Sequence, residues 1–161
     1  MTDLIANTNT FGIWALALAA VAAASLRRPS WLILAALLAA MAIVIATDAH
    51  WIVHDRIRAM LMADGLYADH ARIQVAITLV GAIGVACAGL WIVRAARGAR
   101  RWVWLTTLAL VGLFCVQALS VHGVDALLGM RLGPIMLIGW LWGTAALAIL
   151  LAVAHAHRKG G

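Results

Sequence analysis

Histidine carries most of the chemistry this sequence offers. Six are present, and two of them, His50 and His54, stand four residues apart between Asp48 and Asp55. At about 100° per residue, that spacing puts both imidazoles on one face of a helix. Such a pair can hold one metal ion or offer an axial ligand to haem iron. Asp48 and Asp55, seven residues apart, share a different face. A second stripe reads Cys115, Ala118, His122 and Asp125. His122 and Asp125 are three apart, close enough for the carboxylate to orient the ring. Met60, Met62 and Met130 belong to the same side of the protein. Thioethers beside imidazoles suit Cu(I), and imidazole pairs suit haem iron, copper or zinc.

Each of these has a plainer reading. Histidines at a membrane interface hydrogen-bond to water or headgroups. Asp125 can serve as a helix cap, and the methionines can contact lipid. His70, beside Asp69, is either a loop ligand or solvated. His155 and His157 are read as snorkelling into the headgroup layer with Arg158 and Lys159. Cys87 and Cys115 form no CxxC motif and are read as buried small hydrophobes.

Absences narrow the chemistry further. The sequence has no Walker loop, dinucleotide fingerprint or serine-hydrolase elbow. Its only lysine is Lys159, so a retinal Schiff base in mid-membrane is excluded. Six histidines are too few for a membrane di-iron oxygenase. No carboxylate or arginine falls in mid-membrane in the first, third or fifth apolar stretch, as an ion-coupled pump would need.

The elements that position these residues follow from composition. The chain has 161 residues, 66% hydrophobic and 11% charged, with a mean hydropathy of +1.02. Soluble domains average roughly 45–50% and about 25%. A soluble globular domain, a disordered chain and a disulfide scaffold are excluded. The expected fold is all-α: a single polytopic membrane domain over 1–161, with five transmembrane helices in a bundle. The expected spans are about 10–26, 31–53, 73–94, 102–122 and 134–154, each near the ~20 residues that cross the hydrocarbon core. The second helix continues, on this reading, as far as Arg58. An outer loop covers about 55–72, with Gly65 as a helix stop and Asp69 as a cap for the third helix.

Charge sets the orientation. Arg27, Arg28, Arg94, Arg97, Arg100, Arg101, Arg158 and Lys159 fall on one side, with no acid among them. The other side holds Arg56, Arg58, Arg72 and Arg131 and all six acids, every one an Asp. The expected topology is N-terminus outside and C-terminus cytoplasmic. The apolar N-terminal stretch is no secretory signal, because Asp3 precedes it and Arg27 and Arg28 follow it. Trp31, Trp91, Trp102 and Trp104 mark the inner interface, Trp14 and Trp51 the outer one. Trp140 and Trp142 lie deeper, against another helix or lipid. The net charge of +6 and pI of 11.1 do not indicate nucleic acid, since the basic residues sit in short topogenic loops.

Lipid gives little drive for helix association, so small residues mark contact faces. The first span is rich in Ala, the third carries Gly81, Gly84, Ala88 and Gly89, and the fifth carries Gly139 and Gly143 four apart. This last pair is a candidate interface, either within the chain or with another subunit.

These features predict a small integral membrane subunit with a metal or haem b site near the outer, periplasmic face. It would act in electron transfer or metal handling. His50, His54 and His122 are the cofactor or metal ligands, with Asp125 or Asp48 beside them, and the cofactor is haem b or copper. The alternative is a cofactor-free structural or assembly subunit of a larger membrane complex. A third reading is a small-solute channel or transporter, for which Thr106, Thr107, Gln117 and Ser120 are the only polar stripe. Nothing marks the chain as an enzyme by itself. Expected partners are the lipid bilayer, further subunits or second copies, and a cationic periplasmic carrier drawn to the acidic outer surface. The expected location is a bacterial inner membrane.

Overall fold

Long runs of Ala, Leu, Val and Ile must satisfy their backbone hydrogen bonds internally in lipid, and helices do this. Only two prolines are present, and each opens or precedes an element rather than interrupting one. The computed structural model describes residues 2–63, 70–119 and 122–158; the side chains of His50, His54, His70 and His122 lie outside the described residues. The elements are α1 (Thr2–Ser25), α2 (Pro29–Ala46), α3 (Ala49–Ala63), α4 (His70–Ala95), α5 (Ala99–Leu119), α6 (His122–Leu128), β1 (Arg131–Leu132), β2 (Ile135–Met136) and α7 (Leu137–Arg158). Gly65, Asp69, Ser120 and Lys159 lie outside the described residues. Four helices are long and apolar enough to cross a membrane: α1, α2, the stretch Val75–Ala95 of α4, and α7.

Two expectations about these elements need correction. The first apolar helix starts at Thr2, well before Thr10. Thr8 sits inside it, fully buried, with its hydroxyl donating to the Leu4 carbonyl at 2.7 Å. That internal bond removes the polarity that makes the segment read as a flank. The second correction is larger. No single helix runs from Trp31 to Val53: α2 stops at Ala46, and α3 begins at Ala49. Thr47 caps the stop, its N–H and hydroxyl both donating to the Ile43 carbonyl at 2.9 and 2.8 Å. Asp48 then takes φ 50°, a left-handed backbone that Asp tolerates better than most side chains. His50 and His54 therefore belong to α3, not to the apolar helix before it.

The core is built by α1, α2 and α7. A tight turn with Arg27 at φ 51° folds α2 back along α1. Ala19, Ala20 and Ala23 let the two backbones approach, and Leu34, Leu38 and Ile45 fill the seam. α7 lies parallel to α1, with Gly139 beside Thr8 and Gly143 beside Phe11. At the far end, Ser25 Oγ and His157 Nε2 are 2.9 Å apart. Since the Ser25 hydroxyl donates its one proton to the Ala22 carbonyl, the His157 ring N–H is the donor here.

A second unit is the hairpin of α4 and α5, turned at Gly98 with φ 59°. Gly89 faces Leu108 and Gly112 faces Val85, which sets an antiparallel register. In that register Cys115 lies level with Ala82, well away from Cys87. Both cysteines are exposed on the helix surface, so the expectation that they are buried is corrected. α5 docks this hairpin onto α7, while α4 touches little besides α5. The described arginines Arg27, Arg28, Arg94, Arg97, Arg100, Arg101 and Arg158 gather at one end of the bundle. Asp3, Asp48 and Asp125 gather at the other.

At the aspartate end, α7 is entered through a two-residue hairpin, not directly from Pro134. Leu132 pairs with Ile135, and Gly133 takes φ 72° ahead of Pro134, as the first central position of a type II′ turn requires. Trp140 Nε1–H donates to the Leu132 carbonyl at 2.9 Å, and the Met136 N–H donates to Thr8 Oγ1 at 3.0 Å. Thr8 thus pins the start of α7 to α1. Thr8→Val keeps the shape but strands that N–H. We expect it to lower stability in detergent by about 1–3 kcal/mol, while Thr8→Ser stays near wild type, as read by thermal melting.

Candidate functional site

The described residue that combines charge with enclosure is Asp125. It is partly buried on α6, and it lines a cavity of about 240 Å³ at the aspartate end. Four segments build the wall. α1 contributes Ile5, Thr8 and Asn9; α5 contributes Gln117; α6 contributes Asp125 and Leu128; and Met136, Ile138 and Trp142 come from the entry to α7. The chain must reverse sharply to bring α6 over this space. The Gly129 N–H closes that reversal on the Asp125 carbonyl at 2.8 Å, and the Leu137 N–H ties the hairpin back to the Met130 carbonyl at 2.9 Å. A Cβ at Gly129 would stand 3.0 Å from the Asp125 carbonyl oxygen, so the small residue keeps the reversal tight.

The polar groups divide by availability. The Thr8 hydroxyl donates to Leu4 and accepts from Met136, so it is structural. Asn9 and Gln117 bring carboxamides, each with donors and an acceptor, and Asp125 brings a carboxylate. Trp142 is 3% exposed, stacked on Phe114 at a centroid distance of 5.9 Å. Its ring also lies against Gly12, and its Nε1–H is buried with no hydrogen-bond partner. Such a donor costs the fold about 1–3 kcal/mol. A second, more open hollow nearby is lined by Asp3, Asn7 and Arg131.

The histidine constellation is only partly described. His50 and His54 are on α3, which packs against α5, and His122 opens α6. Their side chains lie outside the described residues. Among the described residues, no group of three or more His, Cys or Asp side chains is close enough to hold a metal ion. Asp48 sits exposed at the α2–α3 break, and Met60, Met62 and Met130 are exposed. Of the polar stripe on α5, Thr107 is buried and donates to the Val103 carbonyl at 2.8 Å, so only Gln117 reaches the cavity. Gly139 and Gly143 face α1.

Thr8, Asn9, Met136 and Trp142 escape a reading of the sequence alone. Thr8 and Gly12 are four apart and share a helix face, and extending the first helix to its true start would have placed Thr8 and Asn9 within it. No family model matches the chain, and no curated protein or solved structure is similar to it.

Proposed function

We propose that this protein is a five-span membrane protein that binds a small polar solute in the cavity at the outer end of its bundle. α5 serves as the fifth span beside the four longer apolar helices. The arginine-bearing end faces the cytoplasm, because basic residues without acids favour that side. That places the N-terminus and the cavity outside, in a bacterial-type inner membrane. The observation that carries the reading is the wall itself: Asp125, Gln117 and Asn9 gather at one hollow of an otherwise apolar bundle. Ionisable groups held near membrane depth are costly, and such sites are where function concentrates. A concave space with a few convergent polar groups in an apolar lining is the usual form of a small-ligand site.

The test is solute-induced stabilisation of the purified protein in detergent. Binding raises the melting temperature in proportion to ln(1 + [L]/Kd). We expect small polar solutes to stabilise the wild type. Asp125→Asn should weaken their binding at least tenfold with the unliganded melting temperature little changed. Absence of any shift across a panel of small cations, amides and alcohols would end the solute reading.

A second reading keeps the metal or haem b site of His50, His54 and His122. Its support is the packing of α3 on α5, which brings the helix carrying two of the histidines against the helix preceding the third. Metal analysis of the purified chain decides it. About one iron or copper per chain, lost in His50→Ala or His122→Ala, is the expected result; a folded protein with no stoichiometric metal sinks this reading.

A further inference from the structure

We propose that the solute is a small alkyl-ammonium cation, an inference that rests on the cavity reading and specifies its ligand. Three features of the wall point this way. The first is charge. Asp125 lines the space, and among the described residues no Lys, Arg or His does. An anionic head is therefore repelled, and a cation is attracted.

The second feature is the count of acceptors. A primary ammonium has three N–H donors and no acceptor, as in the lysine side chain. The wall offers the Asp125 carboxylate and the carboxamide oxygens of Asn9 and Gln117, three acceptors from three different helices. Charge-assisted hydrogen bonds of this kind are roughly twice as strong as neutral ones.

The third is size and lining. Water occupies about 30 Å³ per molecule, so a cavity of about 240 Å³ has room for about eight. A bare inorganic cation would leave most of that space to water. Leu128, Ile138 and Met136 instead offer apolar surface to a short carbon chain. A head that donates and a tail that is apolar satisfy both parts of the wall.

The experiment compares n-propylammonium, n-propanol, propionamide and propionate on the full-length chain in a mild nonionic detergent, by melting temperature and by calorimetric titration. The four probes share size and differ in the head. The expected order places propylammonium at least tenfold tighter than the two neutral probes, with propionate showing no binding. Asp125→Asn should bring propylammonium down to the level of propanol. Gln117→Leu should weaken it severalfold, and it keeps the proposal testable if the first variant does not fold. Should propionamide or propanol bind as tightly as propylammonium, the ammonium assignment is overturned while the solute cavity stands. Should no probe bind a protein that still melts cooperatively, both fall. Tighter binding of propionate would also overturn the assignment, and would point to the arginine-lined hollow near Arg131.

Discussion

Trp142→Ala is expected to cost about 3–5 kcal/mol of stability, a large share of what holds a bundle of this size together. The residue is 3% exposed and meets elements on two sides: Phe114 of α5, and Gly12 of α1. Truncation opens a void where α1, α5 and α7 converge, and no neighbouring side chain is placed to fill it. Thermal unfolding in detergent reads the loss directly. Trp142→Phe gives the complementary result. It gives up some ring area but also removes the partnerless indole N–H. A cost below about 1.5 kcal/mol is expected, as for a swap that keeps most of the volume. A Phe variant as damaging as the Ala variant would show that the indole N–H has a partner in the membrane-embedded protein.

The second large effect comes from adding atoms on the other side of the same contact. A Cβ at Gly12 would stand 2.2 Å from Trp142 Cε3 and 2.7 Å from Cζ3. The ring cannot retreat, because Phe114 is stacked behind it. Gly12→Ala must therefore part α1 from α7, and overpacking of this kind costs about 1–3 kcal/mol. That outweighs the gain of up to about 1 kcal/mol that Ala brings to a helix over Gly. In the double variant with Trp142→Ala, the added methyl should cost nothing further, since the residues in contact are coupled. Other glycines calibrate the claim. At Gly143 the added Cβ meets the ring tip of Phe11, a partly exposed side chain able to swing aside, so the loss should be smaller. At Gly81 and Gly84 nothing lies within 4 Å, and Ala there should be neutral or slightly stabilising.

Which parts of this architecture the sequence discloses depends on what marks them. Composition and the spacing of apolar runs disclose the long helices, because a bilayer-length apolar segment has few alternatives. The pair Gly139 and Gly143 discloses a close-packed face, and the structure supplies its partner in α1. Gly12 discloses nothing alone, as its meaning depends on a tryptophan 130 positions later. The break at Thr47 and Asp48 is hidden for a different reason. No Gly or Pro stands there, and apolar residues flank it on both sides. Only the backbone shows that Asp48 takes the left-handed turn. The hairpin before α7 carries its signal in the Gly133-Pro134 pair, which the apolar run that follows masks. In the candidate site, Gln117 and Asp125 draw notice as polar residues near apolar spans. Thr8 and Asn9 do not, because their polarity reads as the outside of the first helix. Burial of Thr8 depends on a bond to Met136 at the far end of the sequence.

The order in which the ribosome emits these segments gives the α1–α7 contact a further meaning. α1 and α2 can pair as soon as both have left the exit tunnel, and α4 and α5 can pair next. Neither hairpin has the surface that joins it to the other, because α7, which packs on both α1 and α5, is made last. Until then the notch at Gly12 and the ring of Phe114 wait on separate units within the lipid. A nascent chain that stalls before Leu137 would leave two loose hairpins for membrane proteases to find. Quality control of this protein would then be decided by its last helix.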